Sequence, residues 1–164
     1  LSKVLFPSIR LGYLVVPPAL VDAFRAVRSV VDRHPPSHIQ IVLAEFIAEG
    51  HYSRHLRRLR TLYADRQACL LREADRHFGD ALALAPDSAG LHLCGTLHAG
   101  LDETAAWQAA EAAGVLVSPL SRHLLGPPPP VGRLLLGYAG FDAPAIADGA
   151  RRLGAALRAV PRAS

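Results

Sequence analysis

The sequence predicts an α/β fold, on three observations. Apolar residues recur every three or four positions in several stretches, as amphipathic helices require. After residue 85 the pattern changes to strand, helix, strand, strand, helix, the order of a small α/β sandwich. Prolines or glycines end several of these stretches, as at Pro17-Pro18, Pro35-Pro36, Gly50 and Gly114. At 164 residues and 51% apolar content, the chain can bury one sizeable core.

The elements follow in order. Tyr13 to Val16 reads as a strand stopped by Pro17-Pro18. Leu20, Val21, Phe24, Val27 and Val31 share one helix face, and that helix ends before Pro35-Pro36. Ile39 to Glu49 forms a second helix broken at Gly50. A long basic helix runs from about Tyr52 to His77, with Tyr52, Leu56, Leu59, Tyr63 and Leu70 on its apolar side. Gly90 to Leu97 alternates as a strand does, with Leu91, Leu93 and Leu97 on one side. Ala105 to Ala113 is helical up to Gly114, and Val115 to Ser118 is a short strand. Gly126-Pro127-Pro128-Pro129-Pro130 can be neither helix nor central strand and is a stiff loop. Arg133 to Tyr138 is a further strand, and Asp142 caps a last helix running to about Val160.

Composition excludes several classes. No apolar run approaches the roughly 18 residues of a membrane span, and no charged-then-apolar leader is visible. Cys69 and Cys94 do not make a disulfide framework, so a reducing cytoplasm is expected. Residues 51–76 carry seven arginines against Asp65, Glu73 and Asp75, an excess equal to the whole net charge of +4. Aromatic residues do not alternate with these arginines as a base-stacking surface would need. The arginines are therefore expected on a solvated or interdomain face, with direct DNA contact the less favoured reading.

The opening segment carries the chemistry. Ser2-Lys3 is followed by Pro7, Arg10 and Gly12, and the spacing S-K-x-x-x-P-x-x-R-x-G resembles the pyridoxal-phosphate (PLP) attachment segment of fold-type I aminotransferases. A lysine amine condenses with the cofactor's aldehyde, and a permanently charged, forked guanidinium suits the cofactor's phosphate. Gly50-His51-Tyr52-Ser53-Arg54-His55-Leu56-Arg57-Arg58-Leu59-Arg60-Thr61-Leu62-Tyr63 resembles the G-H-x-x-R-H-x-R-R-x-R-x-x-Y helix of MocR-type regulators. Those proteins join a GntR-type winged helix-turn-helix to an aminotransferase-like domain, and the resemblance covers essentially the whole chain.

The resemblance implies an architecture and a site. Residues 1–50 would be the end of the PLP-binding large domain, 51–78 the connecting helix, and 79–164 the C-terminal small α/β domain. Lys3 would be the attachment and catalytic residue, with Ser2 and Arg10 holding the phosphate. The family is homodimeric and contacts DNA through the winged-helix domain. The missing start residue and the opening inside a motif suggest a piece of a longer protein, which alone is not expected to hold the cofactor well.

One departure bears on catalysis. Aminotransferases carry an arginine in R-x-[SG]-[FY] that binds the substrate's α-carboxylate; aligned on Gly137-Tyr138, that position holds Leu135. Arg133 lies two residues earlier on the same side of the strand, about 6.5 Å away. It is the candidate substrate residue, or it flanks the proline-rich loop. Two functions stay open. One is a regulator's effector domain that senses the cofactor or a small amine. The other is a PLP-dependent aminotransferase acting on an amino acid or amine, with transamination weakened by the missing clamp.

Other constellations have plainer readings. His51 and His55 stand four apart, but Tyr52 occupies the position of a metalloprotease's glutamate and no third ligand follows. His92, Cys94 and His98 share a strand side that is expected to face solvent. Trp107 is expected to pack. Gly137-Tyr138-Ala139-Gly140 lacks the spacing of a phosphate loop. No metal site is assigned.

Overall fold

The computed structural model describes residues 1, 3–31, 33, 36–127 and 129–162. The chain divides into two compact units, Leu1–Arg60 and Thr61–Ser164.

The first unit is helical. Short 3-10 turns at Pro7–Ile9 and Pro18–Leu20 precede α1 (Val21–Val31) and α2 (Ser37–Ala48). Gly50, at φ +77°, ends this run as only a residue tolerant of the left-handed region does easily. The long helix α3 (His51–His77) starts in this unit and continues into the second. The expected strand at Tyr13–Val16 is not formed: residues 11–17 have no assigned secondary structure. A strand exists only through hydrogen bonds to a neighbour, and no described residue pairs with this segment. Tyr13, Leu14 and Val15 are all exposed.

The second unit is a four-stranded antiparallel sheet with helices. Its strands are β1 (Leu82–Ala83), β2 (His92–Leu97), β3 (Ser118–Pro119) and β4 (Arg133–Gly137), in spatial order β1-β2-β4-β3. Helices α4 (Glu103–Ala112) and α5 (Ala143–Ala159) complete it. Two strands differ from expectation. β1 is only two residues long, too short to show an alternation. β3 lies at Ser118–Pro119 rather than Val115–Ser118, because Val115 instead donates its N–H to Ala110 O (2.9 Å) and closes the end of α4.

Alternation sets which face is buried. Leu93 and Gly95 of β2 oppose Leu136 and Leu134 of β4 on the covered side, where Leu97 of β2 opposes Leu82 of β1. They join Leu70, Phe78, Ala106, Ala110, Ile146, Leu153 and Leu157 in one core. Each such leucine contributes about 1.5–3 kcal/mol by leaving water. At Gly95 a Cβ would stand 2.8 Å from methyl groups of Leu82 and Leu84, so a larger residue there would displace those side chains.

Hydrogen bonds define the helix ends. Asp102 and Asp142 cap α4 and α5, accepting from the N–H groups of Ala105 (2.8 Å) and Ala145 (3.0 Å). Arg152 donates to the last carbonyls after α4, at Ala113 and Gly114, while its Nε meets Asp148 at 2.9 Å. Arg158 does the same for His77 O at the end of α3 (2.5 Å). α5 approaches that carbonyl so closely at Gly154 that a Cβ would lie 2.2 Å from it.

Candidate cofactor site

The lysine loop is closed on itself before it meets anything else. Val4 and Leu5 both donate to Leu1 O, at 3.1 and 3.0 Å, so Lys3 stands on a tight turn. Pro7 opens the following 3-10 turn, and Arg10 N–H returns to Pro7 O at 3.4 Å. Arg10 then adopts φ 43° and ψ 35°, the left-handed region that is uncommon for a side chain of this kind. Residues held there cluster at ligand clamps.

A hydrogen bond ties the loop to α3. His55 Nε2 lies 2.7 Å from Val4 O, the carbonyl next to Lys3. A carbonyl only accepts, so Nε2 carries the proton. Residue types alone did not single out this role for His55. Its partner is 51 positions away, and the histidine pair reads first as a helix-surface feature. The structure separates that pair: His51 Nε2 meets Glu49 at 3.1 Å, while His55 serves the loop.

Lys3 and Arg10 are both exposed, and neither meets a carboxylate among the described residues. Ser2, the third expected residue, lies outside the described residues. An accessible primary amine and an uncommitted guanidinium on one short loop fit a group that carries an aldehyde and a phosphate dianion.

The open face of the sheet belongs to the second unit. There Cys94, Leu135 and Ser118 form one cross-strand row, and Thr96 opposes Arg133. His92 lies over Gly137, where a Cβ would come within 3.3 Å of its ring. Arg133 is exposed and Leu135 half-buried, so the face carries a cation at its edge and an apolar side chain at its middle. The Arg133 backbone is fixed by Glu103, whose Oε1 accepts its N–H at 2.9 Å and whose other oxygen accepts from Ser121. This junction is invisible in the sequence, where its members stand 18 and 30 positions apart.

Beside it, Arg122 lies over the Trp107 ring at 3.9 Å, so the tryptophan both packs and takes a cation on its face. A groove of about 330 Å³ opens between the end of β4 and the start of α5, lined by Val115, Leu116, Tyr138, Phe141 and Ile146. Among the described residues, no three His, Cys, Asp or Glu side chains converge as metal ligands, and no helix is long and apolar enough to cross a membrane.

Comparison with known proteins defines the class and then the group. The α-aminoadipate aminotransferase LysN of Thermus thermophilus, solved in complex with N-(5'-phosphopyridoxyl)-L-leucine, superposes with a TM-score of 0.85 at 28% identity. The match covers 96% of this chain and 40% of that one. The fold is that of the fold-type I, PLP-dependent aminotransferases. No protein-family model matches the chain.

Its sequence relatives at 30–41% identity include HTH-type transcriptional regulators of the MocR kind, with a 2-aminoadipate transaminase of Thermus thermophilus at 28%, and the chain fits the C-terminal, aminotransferase-like domain of such a regulator. The probable rhizopine catabolism regulatory protein MocR of Rhizobium meliloti is 41% identical over 159 residues, covering 97% of this chain and 32% of that protein. The HTH-type transcriptional regulator TauR of Rhodobacter capsulatus is 32% identical over 171 residues, covering 96% of this chain and 32% of that protein. The chain thus spans about a third of the length of these relatives.

Proposed function

We propose that the chain is the PLP-binding effector part of a DNA-binding transcriptional regulator. The observation that carries this reading is a similarity to a regulator that covers 97% of the chain at 41% identity. Residues 1–50 close the large domain, 51–78 connect, and 79–164 form the small domain. DNA is met through a winged-helix domain outside these 164 residues. The protein works as a homodimer in the cytoplasm and responds to the cofactor itself or to a small amine.

Each residue has a stated task. Lys3 Nζ is the attachment point, and Ser2 and Arg10 hold the phosphate, Arg10 through its forked donors. His55 keeps the loop in place by holding Val4 O. When bound, the cofactor supplies an electrophilic carbon and an electron-withdrawing ring. Arg133, its backbone fixed by Glu103, offers a cation to an effector's anionic end. Leu135 offers no charge at the middle of that face, which favours sensing over efficient handling of ordinary α-amino acids. Occupancy shifts the population between two arrangements of the small domain, and the DNA-binding domain reads the shift.

A second reading is a PLP-dependent aminotransferase, favoured by the structural similarity to one. Lys3 would then also move the proton between substrate and cofactor carbons. One experiment separates the two. In the complete protein, Lys3→Ala abolishes the cofactor's visible absorbance band under either reading, and Arg10→Gln weakens cofactor affinity by about 10- to 100-fold. Conversion of the cofactor to its amine form by an amino donor at catalytic rates supports the enzyme. A stable band, with altered DNA affinity, supports the regulator.

A further inference from the structure

Besides Arg133, the open face of the sheet carries a polar pair. Ser118 Oγ and His123 Nε2 lie 2.9 Å apart. Ser118 stands opposite Leu135 in the β3–β4 ladder, so both side chains project from the same face. Arg133 lies two residues from Leu135 along β4 and projects from that face as well. Leu135 is half-buried, whereas His123 and Arg133 are exposed. An apolar side chain is thus bordered by a hydroxyl–imidazole pair across the sheet and by a guanidinium along the strand.

Both borders are fixed by one carboxylate. Glu103 Oε1 accepts the Arg133 N–H at 2.9 Å, and Oε2 accepts from Ser121 Oγ. Ser121 belongs to the 3-10 turn Leu120–His123, which ends at His123. Glu103 therefore holds the backbone of one border and the turn of the other. The Arg133 guanidinium itself meets no carboxylate among the described residues. Arg122, on the same turn as His123, adds a second guanidinium over the Trp107 ring. Two arginines against Glu103 leave the cluster positive, and its neighbours on the face, His92, Cys94 and Thr96, bring no acid.

The facing atoms of the pair share one proton. Alone, the Ser118 hydroxyl donates to Nε2 of the tautomer protonated at Nδ1, or Nε2–H donates to Oγ. An oxyanion on the face selects the second arrangement, because the hydroxyl proton is then free to turn to it. Such a relay strengthens each of its bonds, and the forked donors of Arg133 reach the same anion from the other border. A carboxylate fits this arrangement: one oxygen meets each border, and the carbon chain lies against Leu135. We propose that Ser118, His123 and Arg133 form a carboxylate-binding subsite, and that the effector is a small amine bearing a carboxylate. This rests on the effector reading of the preceding subsection.

The test uses the complete protein loaded with PLP and matched amines with and without a carboxylate: alanine against ethylamine, 3-aminopropanoate against propylamine, and 5-aminopentanoate against pentylamine. Binding is read as the change in the cofactor's visible band. The wild type is expected to bind the carboxylated member of at least one pair about 10- to 100-fold more tightly. S118A/H123Q and R133Q are each expected to lose most of that preference while keeping the band and the affinity for the plain amine. Adding L135R to S118A/H123Q places a guanidinium between the two borders and is expected to restore the preference. A wild type that prefers no carboxylated member or responds to none, a full preference in S118A/H123Q, or no recovery with L135R overturns the proposal and leaves the effector reading intact. A complete protein that forms no band with PLP, or whose band survives Lys3→Ala, overturns both.

Discussion

Residues 1–60 and residues 61–164 use apolar side chains in opposite ways. Among the described residues the first unit buries one large apolar side chain, Leu43, while Tyr13, Leu14, Val15, Val30 and Val31 are each more than three-quarters exposed. The second unit buries Phe78, Leu93, Leu97, Leu134, Leu153 and Leu157 almost completely. Yet α1 is amphipathic and α2 more apolar still, so the first unit has the sequence of packed structure without a packed interior. Local pattern specifies an element; a second surface is needed before that element contributes stability. The candidate lysine loop lies in the unit without a packed interior, and the open sheet face in the unit that has one.

Core substitution breaks this contrast most strongly. Leu134→Ala, at 0% exposure, is expected to destabilise the second unit by about 2–5 kcal/mol. Val30→Ala, at 85% exposure, should change stability by no more than about 0.5 kcal/mol. Urea unfolding of both variants checks this, and comparable losses would mean that the first unit is packed after all.

Glycines give the next effect. Gly154→Ala forces a Cβ against His77 O and should cost about 1–3 kcal/mol by overpacking. At Gly12 a Cβ meets nothing within 4 Å, so Gly12→Ala should be neutral or slightly stabilising. Thermal melts of the two variants should separate by several degrees.

The smallest effect is electrostatic. Asp80 receives two hydrogen bonds from Arg162, at 2.9 and 2.8 Å, and this pairing holds its carboxyl below the usual value of 3.8. A depressed folded-state pKa contributes stability above the unfolded value, and that contribution is lost as the pH falls through the folded one. Asp80→Asn should therefore slightly flatten the acid limb of stability against pH, below about pH 4, and leave the neutral region almost unchanged. An altered slope near pH 7 would contradict the assignment.

Much of the second unit was legible because its signals are local. Asp142 marks the start of α5, and Ile146, Ala150, Leu153 and Leu157 repeat at helical spacing behind it. β2 and β4 alternate over enough residues to show which side is buried. β1 was not legible, since Leu82–Ala83 is too short to carry a period. Tyr13–Val16 has a strand's composition, but composition cannot supply the neighbour a strand needs. In the candidate site, Lys3 and Arg10 stand out in the sequence only through the resemblance of their segment to a cofactor-attachment motif. The His55–Val4 bond and the Glu103 junction were not legible, because both join residues that only folding brings together.

The central claim is that cofactor occupancy at Lys3 controls DNA binding. The most direct measurement is the affinity of the complete protein for DNA from upstream of its own gene, with and without PLP, in wild type and in Lys3→Ala. The account predicts that PLP changes the wild-type affinity by about 5- to 150-fold, the usual range of coupling between two sites, and leaves Lys3→Ala unchanged. Equal responses in the two proteins, or no response in either, would contradict it.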